Sequence, residues 1–345
     1  MPKYWLISDR NNGGTGTGRN DDGMTFWVSD TPPLNKIDNW KKVSAANFKK
    51  LLIAAADAFP AHEPAQSEAQ SHVTLLIHGF NVSFDSSTQF YQDICTKLYD
   101  GTESLGLCIL YDWPSCGNVL GYYPDREHAR ICSNDLIEIL KAFYDWLLVK
   151  QQETIKSPID KNGNPTAACK AKVSVIAHSM GNYILQKAMA HAWTRANQPL
   201  LSSLINQLVM AAADDDNNLF DQNAPDNDDG AAISHLTYRI TSLYSGRDAV
   251  LGGSAGLKHF GARRLGRSGL AHYPPLVTQP PDTDNVWDID CSGFFPHVPF
   301  ELPGIGGVDI HGAYFVVKET IELMRQILRG TDREILQKSG ATTAP

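Results

Sequence analysis

One stretch, residues 173–183, constrains the fold more than any other part of the chain. A largely β-branched apolar run over residues 173–177 leads into His178 and Ser179, and Gly181 follows two residues after the serine. From Tyr183 onward, apolar residues recur at helical spacing. The pattern predicts a strand, a sharp turn and a helix, with Ser179 at the top of the turn. Such a turn lifts the hydroxyl above the sheet edge, where a base and a substrate can reach it.

The neighbours of Ser179 fit a crowded turn. The residues two before and two after it are Ala177 and Gly181, both small, although the usual signature of such turns has glycine at both places. The backbone N–H of Met180, at the start of the helix, would lie where an oxyanion develops. The stretch therefore predicts a nucleophilic serine with Met180 as one oxyanion donor. A serine that only caps a helix is the alternative.

Composition narrows the class of protein. The chain has 345 residues, of which 42% are hydrophobic and 20% charged, enough for a sizeable core. The net charge of −8 argues against nucleic acid as a partner. The apolar run over residues 4–7 is too short for a signal peptide, no segment resembles a membrane span, and a cytoplasmic protein is expected. Six scattered cysteines predict reduced thiols and neither a zinc site nor disulfides.

Two further motifs precede the turn at Ser179, residues 177–182, which we call the elbow. An apolar run over residues 73–77 ends in His78-Gly79-Phe80-Asn81, where His78 is better interpreted as fixing the loop than as a base. A second run over residues 107–111 leads into Asp112-Trp113-Pro114-Ser115 and then Tyr122-Tyr123-Pro124-Asp125. The chain must turn at Pro114, which cannot continue a ladder of hydrogen bonds. Its aromatic side chains either line a substrate pocket, with Trp113, Tyr123 and Asn81 as candidates, or pack a long loop.

Together, the three motifs resemble those of a bacterial family of largely uncharacterised serine hydrolases in the α/β-hydrolase superfamily, over about residues 73–328. The resemblance implies an α/β fold, with a mostly parallel central sheet, helices on both faces and loops over the carboxyl edge of the sheet. One domain is expected over residues 1–330, with an N-terminal hairpin at 1–30 and a flexible tail at 331–345. The resemblance also implies that the Phe80 N–H is the second oxyanion donor, with Asn81 as a helper.

In this superfamily the catalytic residues follow the order serine, acid, histidine. Asp248 follows the predicted strand at residues 238–244 and is the expected acid. Asp214, one strand earlier, is the alternative, with Asp215 and Asp216 weaker. His311 lies between the last predicted strand and the last helix and is the expected base. His272 and His297, before or inside irregular loops, are its competitors.

Three other segments resemble functional motifs but lack a feature that the motif requires. Gly252-Gly253-Ser254-Ala255-Gly256 matches the letters of a nucleophile motif, but no strand leads into it. The glycine-rich loop at residues 13–18 has the wrong spacing for a phosphate loop and precedes a strand. The acidic tract at residues 214–230 lacks the glutamate that a calcium loop requires.

These residues predict a serine hydrolase that acts on small-molecule or lipid carboxylic esters through an acyl-enzyme, without a metal or organic cofactor. Aromatic and proline-rich segments at residues 113–123 and 294–303 favour an ester or lipid over a peptide. A phospholipase or thioesterase would use the same triad, and a haloperoxidase-like or lyase reaction could use the same site. A non-catalytic binding scaffold is the remaining alternative, because Ala177 departs from the signature.

Overall fold

A computed structural model describes residues 1–60, 70–115, 121–161, 163, 170–192, 203–221, 224–272, 285–296 and 309–344. The strands are β1 (Tyr4–Ser8), β2 (Thr25–Ser29), β3 (Lys41–Val43), β4 (Ser71–Ile77), β5 (Gly106–Asp112), β6 (Ala171–His178), β7 (Ile205–Ala211), β8 (Thr237–Tyr244) and β9 (Val286–Asp290). The helices are α1 (Asn11–Gly14), α2 (Ala45–Asp57), α3 (Phe84–Leu98), α4 (Tyr122–Lys156), α5 (Met180–Ala192), α6 (Asn227–Leu236), α7 (Ala249–Gly253), α8 (Leu265–Ser268), α9 (Ile310–Ala313), α10 (Lys318–Arg329) and α11 (Arg333–Lys338).

All nine strands form one sheet in the order β3-β2-β1-β5-β4-β6-β7-β8-β9. The first three strands pair antiparallel, whereas β1 and every later strand pair parallel with their neighbours. The carboxyl ends of β1 and β4 to β9 therefore meet at one edge, where ligands bind in open α/β sheets. This arrangement confirms the predicted fold class.

The sheet is covered on both faces, because its parallel strands are apolar on both sides. One buried cluster joins the sheet to α2, α4, α5 and α6, with Phe48, Leu136 and Ile184 among its members. The second joins it to α3 and α10 through residues such as Tyr91 and Met324. None of the described helices is long and apolar enough to span a membrane.

Two predicted loops are helical instead. Tyr122, Tyr123 and Asp125 belong to the start of α4 and not to the turn after Trp113. Pro124 is tolerated there because the N–H groups of a first helical turn have no partner within the helix. The predicted flexible tail at 331–345 is also wrong for its described part, since α11 buries Leu336 completely.

Candidate active site

Ser179 lies between the end of β6 and the start of α5. Its φ angle is 53°, a left-handed conformation that costs a non-glycine residue roughly 1–3 kcal/mol. Two backbone hydrogen bonds hold it there: its N–H donates to the Ala211 carbonyl at 3.0 Å, and its carbonyl accepts from the Asn182 N–H at 3.0 Å. The strained turn that the sequence predicts at Ser179 is therefore present, and β7 and α5 hold it in place.

Close backbone contacts explain the two glycines around Ser179. A Cβ atom on Gly181 would lie 2.7 Å from the carbonyl oxygens of both Ile77 and His78, and one on Gly79 would lie 2.8 Å from the Ser179 Cβ. Neither position has space for a side chain. Ala177, by contrast, is fully buried with its methyl group in place, so the departure from glycine leaves the turn intact.

The structure brings His311 and Asp248 together. His311 Nδ1 lies 2.7 Å from Asp248 Oδ2, although the two residues are 63 positions apart. The second oxygen of Asp248 accepts a 2.9 Å hydrogen bond from the Leu251 N–H and caps α7. Burial alone would lower the pKa of His311, but the Asp248 carboxylate outweighs it and holds that pKa above its ordinary value.

His311 also lies beside the elbow. His178, the residue before Ser179, places its Nε2 atom 3.0 Å from the His311 carbonyl oxygen, and the two imidazole rings are 4.8 Å apart. The nucleophile, base and acid candidates therefore share the carboxyl edge of the sheet. His272, a competitor for the base, is an exposed residue 2.6 Å from Asp221, and His297 lies outside the described residues.

The alternative acid, Asp214, is engaged elsewhere. Its N–H donates to the Ser179 carbonyl at 3.3 Å, but its carboxylate accepts hydrogen bonds from Arg264, Ser254 and Tyr122 at 3.0, 2.8 and 2.8 Å. Burial would raise the pKa of Asp214, and the nearby guanidinium of Arg264 reverses this and lowers it. Asp214 thus belongs to a buried structural network.

The other two acids of this loop form no hydrogen bond or ion pair with His311 among those of the described residues. Asp216 pairs with Arg264. Both carboxylate oxygens of Asp215 are buried without a hydrogen-bond partner among the described residues, and burial raises the pKa of this group to about 7.

Ser254 is a hydroxyl donor in this network. It begins a π-helical turn, Ser254–Lys258, that continues α7, so no strand leads into it. Its hydroxyl donates to Asp214, and the residue is buried. The literal match to the nucleophile signature therefore lacks the strand, turn and helix that give that signature its meaning.

The His78 loop, residues 78–82, passes directly over Ser179. Asn81 adopts a left-handed conformation with a φ angle of 61°, which asparagine tolerates better than most residues. The N–H groups of Asn81 and Val82 donate to the Ser115 hydroxyl at 2.8 and 3.3 Å, and that hydroxyl donates to Asp125 at 2.5 Å. The Phe80 ring packs edge-to-face on Tyr122, with the ring centroids 5.5 Å apart.

A buried ion pair supports the same loop from below. Asp112 accepts a 2.8 Å hydrogen bond from Arg10, and its other oxygen lies 3.0 Å from His78 Nε2. Because Arg10 and His78 together outweigh the effect of burial, the pKa of Asp112 lies below its ordinary value. His78 thus fixes the loop, as the sequence favours.

Trp113 packs against the His78 loop. Its side chain is fully buried, stacks on the His78 ring and donates from Nε1 to the His78 carbonyl at 2.8 Å. This position favours the alternative interpretation of Trp113, in which the side chain packs the loop. Tyr123 is 55% exposed and donates to the Lys258 carbonyl at 3.4 Å. The predicted proline-rich wall at 294–303 lies mostly outside the described residues.

The sequence analysis assigns no function to several residues that support the site. Asp112 and Ser115 flank the Trp113-Pro114 pair, so that motif itself could have indicated them. Arg10 lies 102 positions from its partner, and no local pattern marks it. Arg267 donates to the Asp248 carbonyl, which makes part of the basic cluster at residues 263–267 a support for the acid.

One group of described side chains could hold a metal ion. Ligand atoms of Asp9, Cys132 and Asp135 lie within 4.8 Å of one another, at the junction of β1 and α4. Arg19 already pairs with Asp135 at 2.7 Å, and the Tyr111 hydroxyl donates to Asp9. Burial raises the pKa of Asp9 to about 7.

A mostly parallel sheet with a strained serine between a strand and a helix defines the protein as an α/β hydrolase. The chain belongs, more particularly, to a family described as alpha/beta hydrolases of unknown function (DUF900), whose model matches residues 57–155 and 165–278. Ser179 and Asp248 lie within the matched residues, whereas His311 and strands β1 to β3 lie outside them. Comparisons with curated proteins and with solved structures returned no match.

Proposed function

We propose that this α/β hydrolase is a serine hydrolase of carboxylic esters, similar to esterases and lipases. The observation that carries the proposal is the 2.7 Å contact between His311 Nδ1 and Asp248, formed beside a serine held in a strained turn. A histidine oriented by a carboxylate next to such a serine is the arrangement that activates a hydroxyl for acyl transfer.

The tautomer of His311 follows from its contact with Asp248. A carboxylate accepts hydrogen bonds, so Nδ1 carries a proton and Nε2 has the free electron pair that a general base needs. In the proposed first step, His311 Nε2 takes the Ser179 proton as the serine oxygen attacks the ester carbonyl. The Asp248 carboxylate then stabilises the imidazolium that forms.

The oxyanion would bind to two backbone N–H groups, those of Met180 and Phe80. Support comes from the position of Met180 at the start of α5, from the close approach of Gly79 to Ser179, and from the hydrogen bond that fixes the His78 loop to Ser115. The imidazolium proton then passes to the leaving alcohol, and an acyl-enzyme remains on Ser179. A water molecule, deprotonated by His311, then attacks that acyl group. As the bond to the Ser179 oxygen breaks, His311 returns the proton to that oxygen and the carboxylic acid is released.

A thioester or a phospholipid ester would pass through the same steps, since both present a carbonyl to the serine. The aromatic side chains of Phe80, Tyr122 and Tyr123 near the elbow favour an apolar acyl group over a peptide. A panel of nitrophenyl esters and matched acyl thioesters of increasing chain length would separate these substrate classes.

The decisive experiment is labelling with a fluorophosphonate, which reacts with activated serines, followed by mass spectrometry of the tagged peptide. We expect the tag on Ser179 and its loss in Ser179→Ala, with Ser254→Ala as the matched control that remains labelled. A tag on Ser254 would contradict the assignment of the nucleophile. Folded protein, checked by circular dichroism, that takes up no label and cleaves no ester would favour a binding scaffold.

A further inference from the structure

The proposed mechanism gives no role to His178, the residue immediately before the nucleophile. Its ring packs between the rings of Phe90, Phe315 and His311, with centroids 6.2, 5.3 and 4.8 Å away. Its Nε2 atom lies 3.0 Å from the backbone carbonyl oxygen of His311. One side chain of the nucleophile strand β6 therefore contacts the short helix α9 that bears the base.

The direction of this hydrogen bond defines the state of His178. A carbonyl oxygen only accepts, so Nε2 must carry a proton. Burial, with the nearby charge of His311, lowers the pKa of His178 to about 3, so the ring is neutral near neutral pH. A neutral ring with a proton on Nε2 has an unprotonated Nδ1. That nitrogen faces the His78 loop, where it lies 3.1 Å from the position of a Cβ atom on Gly79.

We propose that His178 is a positioning residue that ties the backbone of His311 to the nucleophile strand and so fixes the separation between the base and Ser179. The inference rests on the proposed function of the Ser179 site. His311 has a short helix of only four residues around it, Ile310–Ala313, with Asp309 as its cap. The bond from His178 connects that short helix directly to the residue beside the nucleophile.

The chemistry of the site explains why a histidine suits this position. The donor must remain uncharged, because His311 becomes a cation when it accepts the serine proton and a second cation 4.8 Å away would oppose that step. The side chain must also fill a space between aromatic rings. Imidazole meets both requirements, whereas lysine or arginine would add charge and leucine or phenylalanine would lack the donor.

A pair of variants tests the hydrogen bond. In His178→Phe, which keeps an aromatic ring but removes the donor, we expect kcat to fall by about 10- to 100-fold with KM little changed, because a small misplacement of the base slows the chemical step. In His178→Gln, whose amide can donate to the same carbonyl, we expect most of the lost activity to return. His178→Met replaces the phenylalanine variant if that protein does not fold.

Three results would overturn the inference. One is wild-type kcat in His178→Phe, and another is an equal loss in the glutamine and phenylalanine variants, which would leave only a packing role. The third is a changed acid limb of the pH profile in His178→Gln, because a neutral positioning residue does not titrate in the working range and the limb should stay with His311.

Nitrogen NMR of histidine-labelled protein tests the same inference without activity. The chain has 11 histidines, and the signal lost in His178→Gln identifies this one. We expect a neutral ring protonated on Nε2 that does not titrate near neutral pH. A proton on Nδ1 would refute the tie to His311 even if the enzyme is active. Conversely, this tautomer in a protein that fluorophosphonate does not label would mean that the proposed function has failed while the contact stands.

Discussion

The loops that follow β7 and β8 each present a buried aspartate at the same edge of the sheet, yet the two carboxylates have different surroundings. Asp214, after β7, accepts hydrogen bonds from Arg264, Ser254 and Tyr122. Asp248, after β8, accepts one backbone hydrogen bond from Leu251 and contacts His311 with its other oxygen. Topology alone would allow either residue to serve as the acid of a triad.

The comparison shows how the partner decides the role of a buried carboxylate. A buried carboxylate that faces a guanidinium neutralises a permanent charge, and its removal would leave that charge buried without this partner. When its nearest titratable partner is an imidazole, the carboxylate changes the pKa of that imidazole and selects its tautomer. Arg264 is 1% exposed and therefore depends on Asp214 and Asp216, whereas the Asp248 side chain faces no arginine among the described ion pairs.

The short segment around α8 holds both loops. Arg264 donates to the carboxylate and carbonyl of Asp214, and Arg267 donates to the carbonyl of Asp248. Gly266, between them, lies so close to the backbone of Ala212 and Ala213 that a Cβ there would overlap both residues. The basic cluster at residues 263–267 is therefore largely an internal support for two acidic loops.

The largest expected effect separates the two aspartates by activity. We expect Asp248→Asn to lower kcat/KM for a nitrophenyl ester by about 10³- to 10⁴-fold, because the amide no longer stabilises the imidazolium or holds the reactive tautomer. Asp214→Asn should cost much less, since it removes no contact with His311. Steady-state kinetics on both folded variants tests this prediction. A larger loss of kcat/KM in Asp214→Asn would instead identify the residue after β7 as the acid.

For stability, we expect the opposite order, with a larger loss from changing Asp214 than from changing Asp248. Asp214→Ala should lower the free energy of unfolding by about 3–5 kcal/mol, because it removes a carboxylate partner of the buried Arg264 guanidinium. Asp248→Ala should cost about 1 kcal/mol for the lost helix cap, since His311 can become neutral when its partner is removed. Urea unfolding followed by circular dichroism measures both values. Equal losses would mean that the two loops do not differ as described.

The pH dependence of kcat/KM distinguishes the two aspartates through their effects on the pKa of His311. The Asp248 carboxylate is the main cause that raises the pKa of His311, and Asp214 makes a smaller contribution in the same direction. Removing a negative charge lowers the pKa of an imidazole, so its unprotonated form persists to lower pH. The acid limb of kcat/KM should therefore move to lower pH in Asp248→Asn and by less in Asp214→Asn. A limb that stays fixed in Asp248→Asn would show that another group titrates.

The smallest effect is expected from Arg267. Arg267→Met removes the donor to the Asp248 carbonyl while keeping an unbranched side chain, and we expect about a tenfold lower kcat because the acid loop loses one fixed point. Arg264→Met, the matched change three residues earlier, should affect stability more than kcat. Parallel kinetics and urea unfolding of the two variants would distinguish these outcomes, and identical behaviour would contradict separate roles for the two arginines.

The sequence predicts the elements of the site whose signals are local. The strand that ends at Ser179, the small residues around it and the place of His311 before the last long helix can each be recognised within a few residues. Each of these features depends on backbone geometry that the superfamily repeats, so the letters of the sequence suffice to predict it. Strand order allows both Asp248 and Asp214 as the acid, and the contact with His311 distinguishes them.

Other features depend on pairs that are distant in the chain. Arg10 and Asp112, or Arg264 and Asp214, have no spacing that marks them as partners. The prolines near Trp113 suggested a long turn, whereas Pro124 lies in the first turn of α4, where it is tolerated. No strong apolar period marks the helix α11 within residues 331–345, since Leu336 is its one buried residue. Tertiary contacts decide these cases, and a single sequence does not display them.

The position of Arg10 limits where the chain can be truncated. It follows β1, which lies outside the residues that match the family, yet its guanidinium neutralises Asp112 beneath the His78 loop. Cutting the chain at residue 57, where the family match begins, would also leave β5 as an unprotected edge. The family match therefore begins inside a continuous sheet, and a fragment that started there would lose both the strand that pairs with β5 and the arginine that supports the His78 loop.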